Sequence, residues 1–254
     1  VAPRYGVSVV AEDAGHGLDK TVVLRQMVGE HVALYGIVVR ESVVVIQRLV
    51  DRRDYRIVAE HLKKKQYIFA ELTPWNRFRV YWVDERCVSS GNKDSNYRLA
   101  KIHLLDKVPL TSEQVFRIRG EQEDAEREAL RYSSMVLSQL PLDGRIPVFD
   151  FVLLGIGADG HTSSVFPGQE KLLHTLAPYV LSTHPVTGQR RIAMTGEVMV
   201  RARHTWFYVT GQDKADVIQS LSCPEVRNRY PAAYVWQSAL HAELFTDIQV
   251  ISPV

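Results

Sequence analysis

The sequence predicts an α/β fold: a doubly wound, mostly parallel sheet flanked by helices, a Rossmann-like architecture. Three observations predict it. Apolar runs of strand length alternate with charged stretches of helical character along the chain. One apolar run, Phe149–Leu154, breaks directly into the glycine-rich turn Gly155-Ile156-Gly157-Ala158-Asp159-Gly160-His161. Hydrophobic residues fill 46% of the 254 positions, enough for one sizeable core. Residues 1–254 are therefore read as a single α/β domain.

Taken in order, the first strand is expected at His31–Val39, with helices at Glu41–Leu49 and Tyr55–Lys65. Phe78–Val83 is the next strand, rich in the aromatic and β-branched side chains that suit a pleated surface. Helices follow at Asn96–Leu105 and Glu121–Leu140. In the second, Ala125, Ala129, Tyr132 and Val136 recur at three- and four-residue spacing with Glu and Arg between them. Phe149–Leu154 is a strand, and Gly168–Leu173 a short helix. Further strands are expected at Arg191–Thr195 and His204–Thr210, a helix at Lys214–Leu221, and a short strand at Ala233–Trp236.

Composition excludes several classes. Thirty-one basic against 29 acidic residues leave a net charge of +2, no field for nucleic acid or a membrane surface. Cys87 and Cys223 make no disulfide framework, so a reduced, cytoplasmic setting is expected. No run reaches the roughly 18 apolar residues that span a bilayer, and no basic-then-apolar leader opens the chain. No His-x-x-x-His pair or Cys cluster offers a metal site, so no metal is expected. Gly155-x-Gly157 lacks the third glycine of the dinucleotide fingerprint and a helix immediately after it, so no cofactor is expected either.

A buried strand that ends in a glycine-rich turn delivers its last residues to the carboxyl edge of the sheet, where ligands bind in open α/β folds. Here the turn delivers an acid, Asp159, and a base, His161. A histidine titrates near neutrality and can take a proton from water; the plainer alternative is a helix cap. Asp159 either orients His161, binds substrate hydroxyls, or is a turn or N-cap residue. Asp84, Glu85 and Arg86 follow the apolar FRVYWV and reach the same edge. The fork of Arg86 suits a phosphate, whereas Glu85 reads as a surface ion pair with Arg86 or a neighbouring helix. Lys214 stands at a helix start, where free N–H groups favour anions. Asn96 is a helix cap or a substrate contact. His174, His184, His204 and His241 read as structural or exposed.

The stretch GIGADGHTSSVFPG, residues 155–168, resembles the signature loop of the 6-phosphogluconolactonases, which share a fold with glucosamine-6-phosphate deaminases and isomerases. Phe78–Tyr97, FRVYWVDERCVSSGNKDSNY, resembles that family's W-V-D-E-R strand and its loop ending S-N-Y. RRIAMT at 190–195 and HTWFYVTGQDKA at 204–215 are similar to its R-I-T-x-T strand and its G-x-D-K-A turn. The blocks fall in the family's order and cover the chain from Trp75 onward, about two thirds of it.

The resemblance implies hydrolysis of a phosphorylated sugar lactone, 6-phospho-gluconolactone, to 6-phosphogluconate in the oxidative pentose phosphate pathway, by a monomer or small homo-oligomer. It assigns the general base to His161 and phosphate contacts to Lys214 and Arg191. It also implies that Asp84 faces the sugar, because the matching aspartate is catalytic in the deaminases. An amino-sugar-phosphate deaminase is the first rival. Those enzymes continue the loop into N-E-P, where this chain reads Ser164-Val165-Phe166-Pro167-Gly168. A non-catalytic sugar-phosphate binding module is the second.

The family's first phosphate loop, S-G-G-S/T-x-P, corresponds to His31–Ser42, where only Gly36 survives as a phosphate candidate. Tyr35 stands where serine is expected, and Ile37, Val38 and Val39 resist the positive φ of an anion-binding nest. The expectation is that 37–39 continues the strand or packs in the core, and that phosphate rests on Arg86, Arg191 and Lys214.

Overall fold

The computed structural model describes residues 75–246 in full and, before them, the backbone of four strands, Val9–Val10, Val22–Val28, His31–Val38 and Val43–Ile46. Its largest sheet runs Ala242–Thr246, His204–Val209, Phe151–Leu154, Val43–Ile46, Arg79–Trp82, Val115–Phe116 from edge to edge. Every neighbouring pair in it is parallel. Numbered along the chain, that order is 6-5-4-1-2-3, with the reversal between Val43–Ile46 and Phe151–Leu154. Strands covered on both faces read as unbroken apolar runs, and all four residues of Phe151–Leu154 are buried.

Two expected elements change type. The helix read over Glu41–Leu49 is not formed at Val43–Ile46, which is a central strand. Four consecutive β-branched residues pack well on a pleated surface and poorly in a helix. The strand read at Ala233–Trp236 lies inside a helix, Pro231–Ser238, which proline opens and Ala232, Ala233 and Val235 bury. Short apolar runs carry no decisive period. The helix read at Tyr55–Lys65 lies outside the described residues.

The strand expected at His31–Val39 runs from His31 to Val38, antiparallel to Val22–Val28 in a separate three-stranded sheet. Ile37 pairs with Val23 and Val38 with Val22, while the register skips Gly36. Gly36 thus lies within an antiparallel strand, not in a loop after the first strand of the parallel sheet, and Val39 lies outside the described residues.

At Val83 the chain leaves the parallel sheet. Asp84–Arg86 pairs antiparallel with Arg190–Met194, which in turn pairs with Tyr179–Thr183. The strand expected at Arg191–Thr195 therefore belongs to this small antiparallel sheet. Met194 N donates to Val83 O at 2.7 Å and fixes the crossing point.

The helix Ala125–Gln139 holds the two sheets together. Asp124 caps it, its side chain accepting from Arg127 N, so the helix begins four residues later than its periodicity suggested. Tyr132 and Tyr179 are fully buried and meet edge to face at 4.6 Å. Burial holds both phenols protonated, well above their usual range. Tyr132 Oη accepts from Trp82 N (3.0 Å) and donates to Phe116 O (2.7 Å), while Tyr179 Oη donates to Trp82 O (2.9 Å). Ser133 Oγ bonds both backbone groups of Tyr179. Tyr132→Phe would orphan a buried donor and a buried acceptor, each costing about 1–3 kcal/mol. Urea unfolding is expected to show a loss of about 2–3 kcal/mol; a loss below about 0.5 kcal/mol would mean the hydroxyl is no clamp.

Candidate active site

The loop after Phe151–Leu154 is wound tightly on itself. Gly157 N donates to His161 O (2.9 Å), and Gly160 N donates to Gly157 O (2.9 Å). Gly160 sits at φ 83°, a left-handed conformation that favours glycine. Its carbonyl accepts from Ala232 N at 3.0 Å, anchoring the turn to the 231–238 helix.

Asp159 Oδ1 accepts from His161 N (3.2 Å) and lies 2.6 Å from His161 Nδ1. A carboxylate can only accept there, so Nδ1 carries the proton and Nε2 keeps its lone pair. Burial works to raise the Asp159 pKa, but its interactions with His161 outweigh this and lower it. The imidazole is partly open, with a quarter of its side chain exposed. A Cβ on Gly157 would stand 2.2 Å from two of its ring atoms. Asp159 is both a turn residue, accepting the amide two positions on, and a partner of the imidazole.

Asp84 reaches this loop from the other sheet. Its Oδ1 accepts from Asn96 Nδ2 (3.0 Å) and its Oδ2 from Ser164 Oγ. Ser164 Oγ in turn accepts from Arg191 Nη1 (3.3 Å). Ser164 is fully buried, and nothing in its local sequence singled it out. The strands ending at Trp82 and Leu154 are not neighbours, since Val43–Ile46 lies between them. Asp84 meets the loop through Ser164 instead.

Glu85 is not the surface ion pair its sequence context suggested. It is buried and accepts from Arg86 N, Ser95 Oγ, Asn96 N and Tyr97 N at 2.7–3.0 Å. Two of these donors, Asn96 N and Tyr97 N, are the opening amides of the Asn96–His103 helix, whose start favours an anion. Burial nonetheless pushes its pKa up against those bonds. Ser95, not Asn96, caps the helix, accepting from Arg98 N. Asn96 is left to hold Asp84, and its Oδ1 has no partner among the described residues.

Arg86 and Arg191 face each other across the antiparallel ladder, and both are buried. Arg86 Nη1 donates to Asp94 O (2.6 Å), and its Nε has no partner among the described residues. Arg191 lies over the ring of Phe166 at 5.4 Å, and that ring is 4.8 Å from His161. Lys214 falls in the short turn Gln212–Lys214, just before the helix Ala215–Ser220, with Nζ 2.9 Å from both oxygens of Asp213. Phe151–Leu154 and His204–Val209 are parallel neighbours, so Lys214 shares the carboxyl edge with His161. His184, read as structural or exposed, sits 4.9 Å from Phe166. Its one sequence signal is its place in the turn just before Arg190-Arg191.

Among the described residues no three His, Cys, Asp or Glu side chains are grouped to hold a metal ion. No helix among them is long and apolar enough to cross a membrane.

A sequence model described as glucosamine-6-phosphate isomerases/6-phosphogluconolactonase matches residues 55–245. The chain belongs to this family. A 6-phosphogluconolactonase of Treponema pallidum is 38% identical over 148 residues, spanning 58% of this chain and 61% of that protein. One of Aggregatibacter actinomycetemcomitans is 36% identical over 181 residues, 70% of this chain and 75% of its own. The crystal structure of a devB protein superposes with a TM-score of 0.71 at 30% identity, covering 81% of this chain and 84% of the other. The 6-phosphogluconolactonase of Trypanosoma brucei has the same fold, with a TM-score of 0.69 at 23% identity over 81% of this chain and 83% of its own.

The packing of Gly157 against the dyad has a direct test. In Gly157→Ala the imidazole must swing away, because a flexible ring yields before backbone does. Long-range proton–nitrogen NMR of the wild type is expected to show His161 protonated at Nδ1 and strongly hydrogen-bonded. The alanine variant should lose that downfield proton while remaining folded, and an unchanged signal would show that the glycine is not needed there.

Proposed function

We propose that the protein is a 6-phosphogluconolactonase, a carboxylic ester hydrolase that opens 6-phospho-glucono-1,5-lactone to 6-phosphogluconate. The observation that carries this reading is the 2.6 Å Asp159–His161 bond beside two buried arginines. His161 Nε2 takes a proton from water as the water oxygen bonds to the lactone carbonyl carbon. The ring carbon–oxygen bond then breaks, and the proton returns from the imidazolium to the departing ring oxygen. Asp159 keeps Nε2 in its basic form and steadies the imidazolium. Arg86, Arg191 and Lys214 supply the positive field for the phosphate and the developing oxyanion. Asp84, with Asn96 behind it, faces the sugar. This reading carries with it a cytoplasmic protein folded as one doubly wound domain, with helices on both faces of the parallel sheet.

A deaminase would require an acid after the loop, where the chain offers Ser164-Val165-Phe166-Pro167-Gly168. A binding module with this site would hold the sugar phosphate without turning the lactone over, and an assay against the spontaneous rate separates the two.

His161→Asn should stay folded and lose roughly 10²–10⁴-fold in kcat, the usual worth of a general base. A variant that keeps more than half of the wild-type kcat would remove His161 from the mechanism. Arg86→Ala and Lys214→Ala should mainly raise KM, since charge-assisted bonds contribute about 1.5–3 kcal/mol each. Gluconolactone without phosphate should be a poor substrate and nearly indifferent to both substitutions. Equal turnover of the two lactones by the wild type would refute a phosphate site here.

A further inference from the structure

Three polar side chains surround the buried ring of Phe166: His161 at 4.8 Å, His184 at 4.9 Å and the Arg191 guanidinium at 5.4 Å. Two of them already belong to the site. His184 sits on the turn between Tyr179–Thr183 and Arg190–Met194, the hairpin that also carries Arg191.

That turn fixes the state of its ring. His184 N donates to Gln189 O (2.9 Å) and Gly188 N donates to His184 O (3.0 Å), closing the hairpin. Within it, Nδ1 accepts from Val186 N (3.1 Å) and Thr187 N (3.3 Å). Two amides aimed at Nδ1 leave no room for a proton there, so the ring carries its hydrogen on Nε2. Burial, then the neighbouring Arg191 and His161, lower its pKa, with Asp159 opposing them. The side chain is therefore an uncharged donor at neutral pH. It offers direction without adding a third positive charge beside Arg86 and Arg191.

We propose that His184 donates its Nε2–H to the phosphate group of the bound sugar, completing the anion-recognising end of the site with Arg86 and Arg191. The proposal rests on the lactonase reading for its ligand and adds a neutral, specificity-setting contact to it.

Product binding tests this without requiring turnover. Titration calorimetry of the full chain with 6-phosphogluconate should show His184→Ala binding about tenfold more weakly than wild type. His184→Gln should recover most of the affinity, because the glutamine amide can reach the place of Nε2. Gluconate should bind all three proteins alike, and the effect on lactone hydrolysis should fall on KM rather than kcat. Wild-type affinity in His184→Ala would overturn the proposal. So would a glutamine variant as weak as alanine, or an equal loss for gluconate. Binding of 6-phosphogluconate with no lactone hydrolysis would sink the lactonase reading alone and leave the His184 contact standing. No binding of 6-phosphogluconate to the wild type would overturn the His184 contact, while lactone turnover above the spontaneous rate would leave the lactonase reading standing.

Discussion

The carboxylate of Asp84 is buried with both oxygens bonded, one to Asn96 and one to Ser164. A buried charge is tolerable only when its lone pairs are met, and losing one such hydrogen bond costs about 1.5–3 kcal/mol. Meeting them here requires three distant segments to arrive together: the strand end at Asp84, the helix start at Asn96, and the loop at Ser164. Glu85 does the same on the opposite side, gathering the first amides of that helix. The two acids together fix where the chain leaves the parallel sheet, and so where the small sheet lies.

The position of the small sheet sets the electrostatics. Arg86 and Arg191 are directly opposed in its ladder, an arrangement that is unfavourable for like charges. The fold supports it with carbonyl and hydroxyl acceptors, Asp94 O and Ser164 Oγ. Acceptors of that kind orient the guanidinium groups. Under the proposed function, such a prepared field suits a dianionic ligand, because little reorganisation remains when it arrives.

Much of this was legible in the sequence. The runs at 78–83, 149–154 and 204–210 announce strands because both faces of a parallel sheet are covered. The Gly-rich turn announces His161 and Asp159 because only glycines allow that winding. What was not legible depends on partners far away in the chain. Ser164 bonds Asp84 across 80 residues, and His184 comes near His161 and Arg191 only through the shared ring of Phe166. Glu85 looked like a surface charge because the helix start that engages it comes ten residues later. The runs at Val43–Ile46 and Ala233–Trp236 take the opposite structure to the one expected from sequence, because short apolar runs suit either.

The bond from Ala232 N to Gly160 O ties the base-bearing turn to the last described helix. Ala232 is fully buried, so solvent deuterium reaches its amide only when helix and turn part. The exchange half-life of that single amide is therefore a clock on the opening of the site. A ligand that holds His161 in place should slow the clock in proportion to its occupancy.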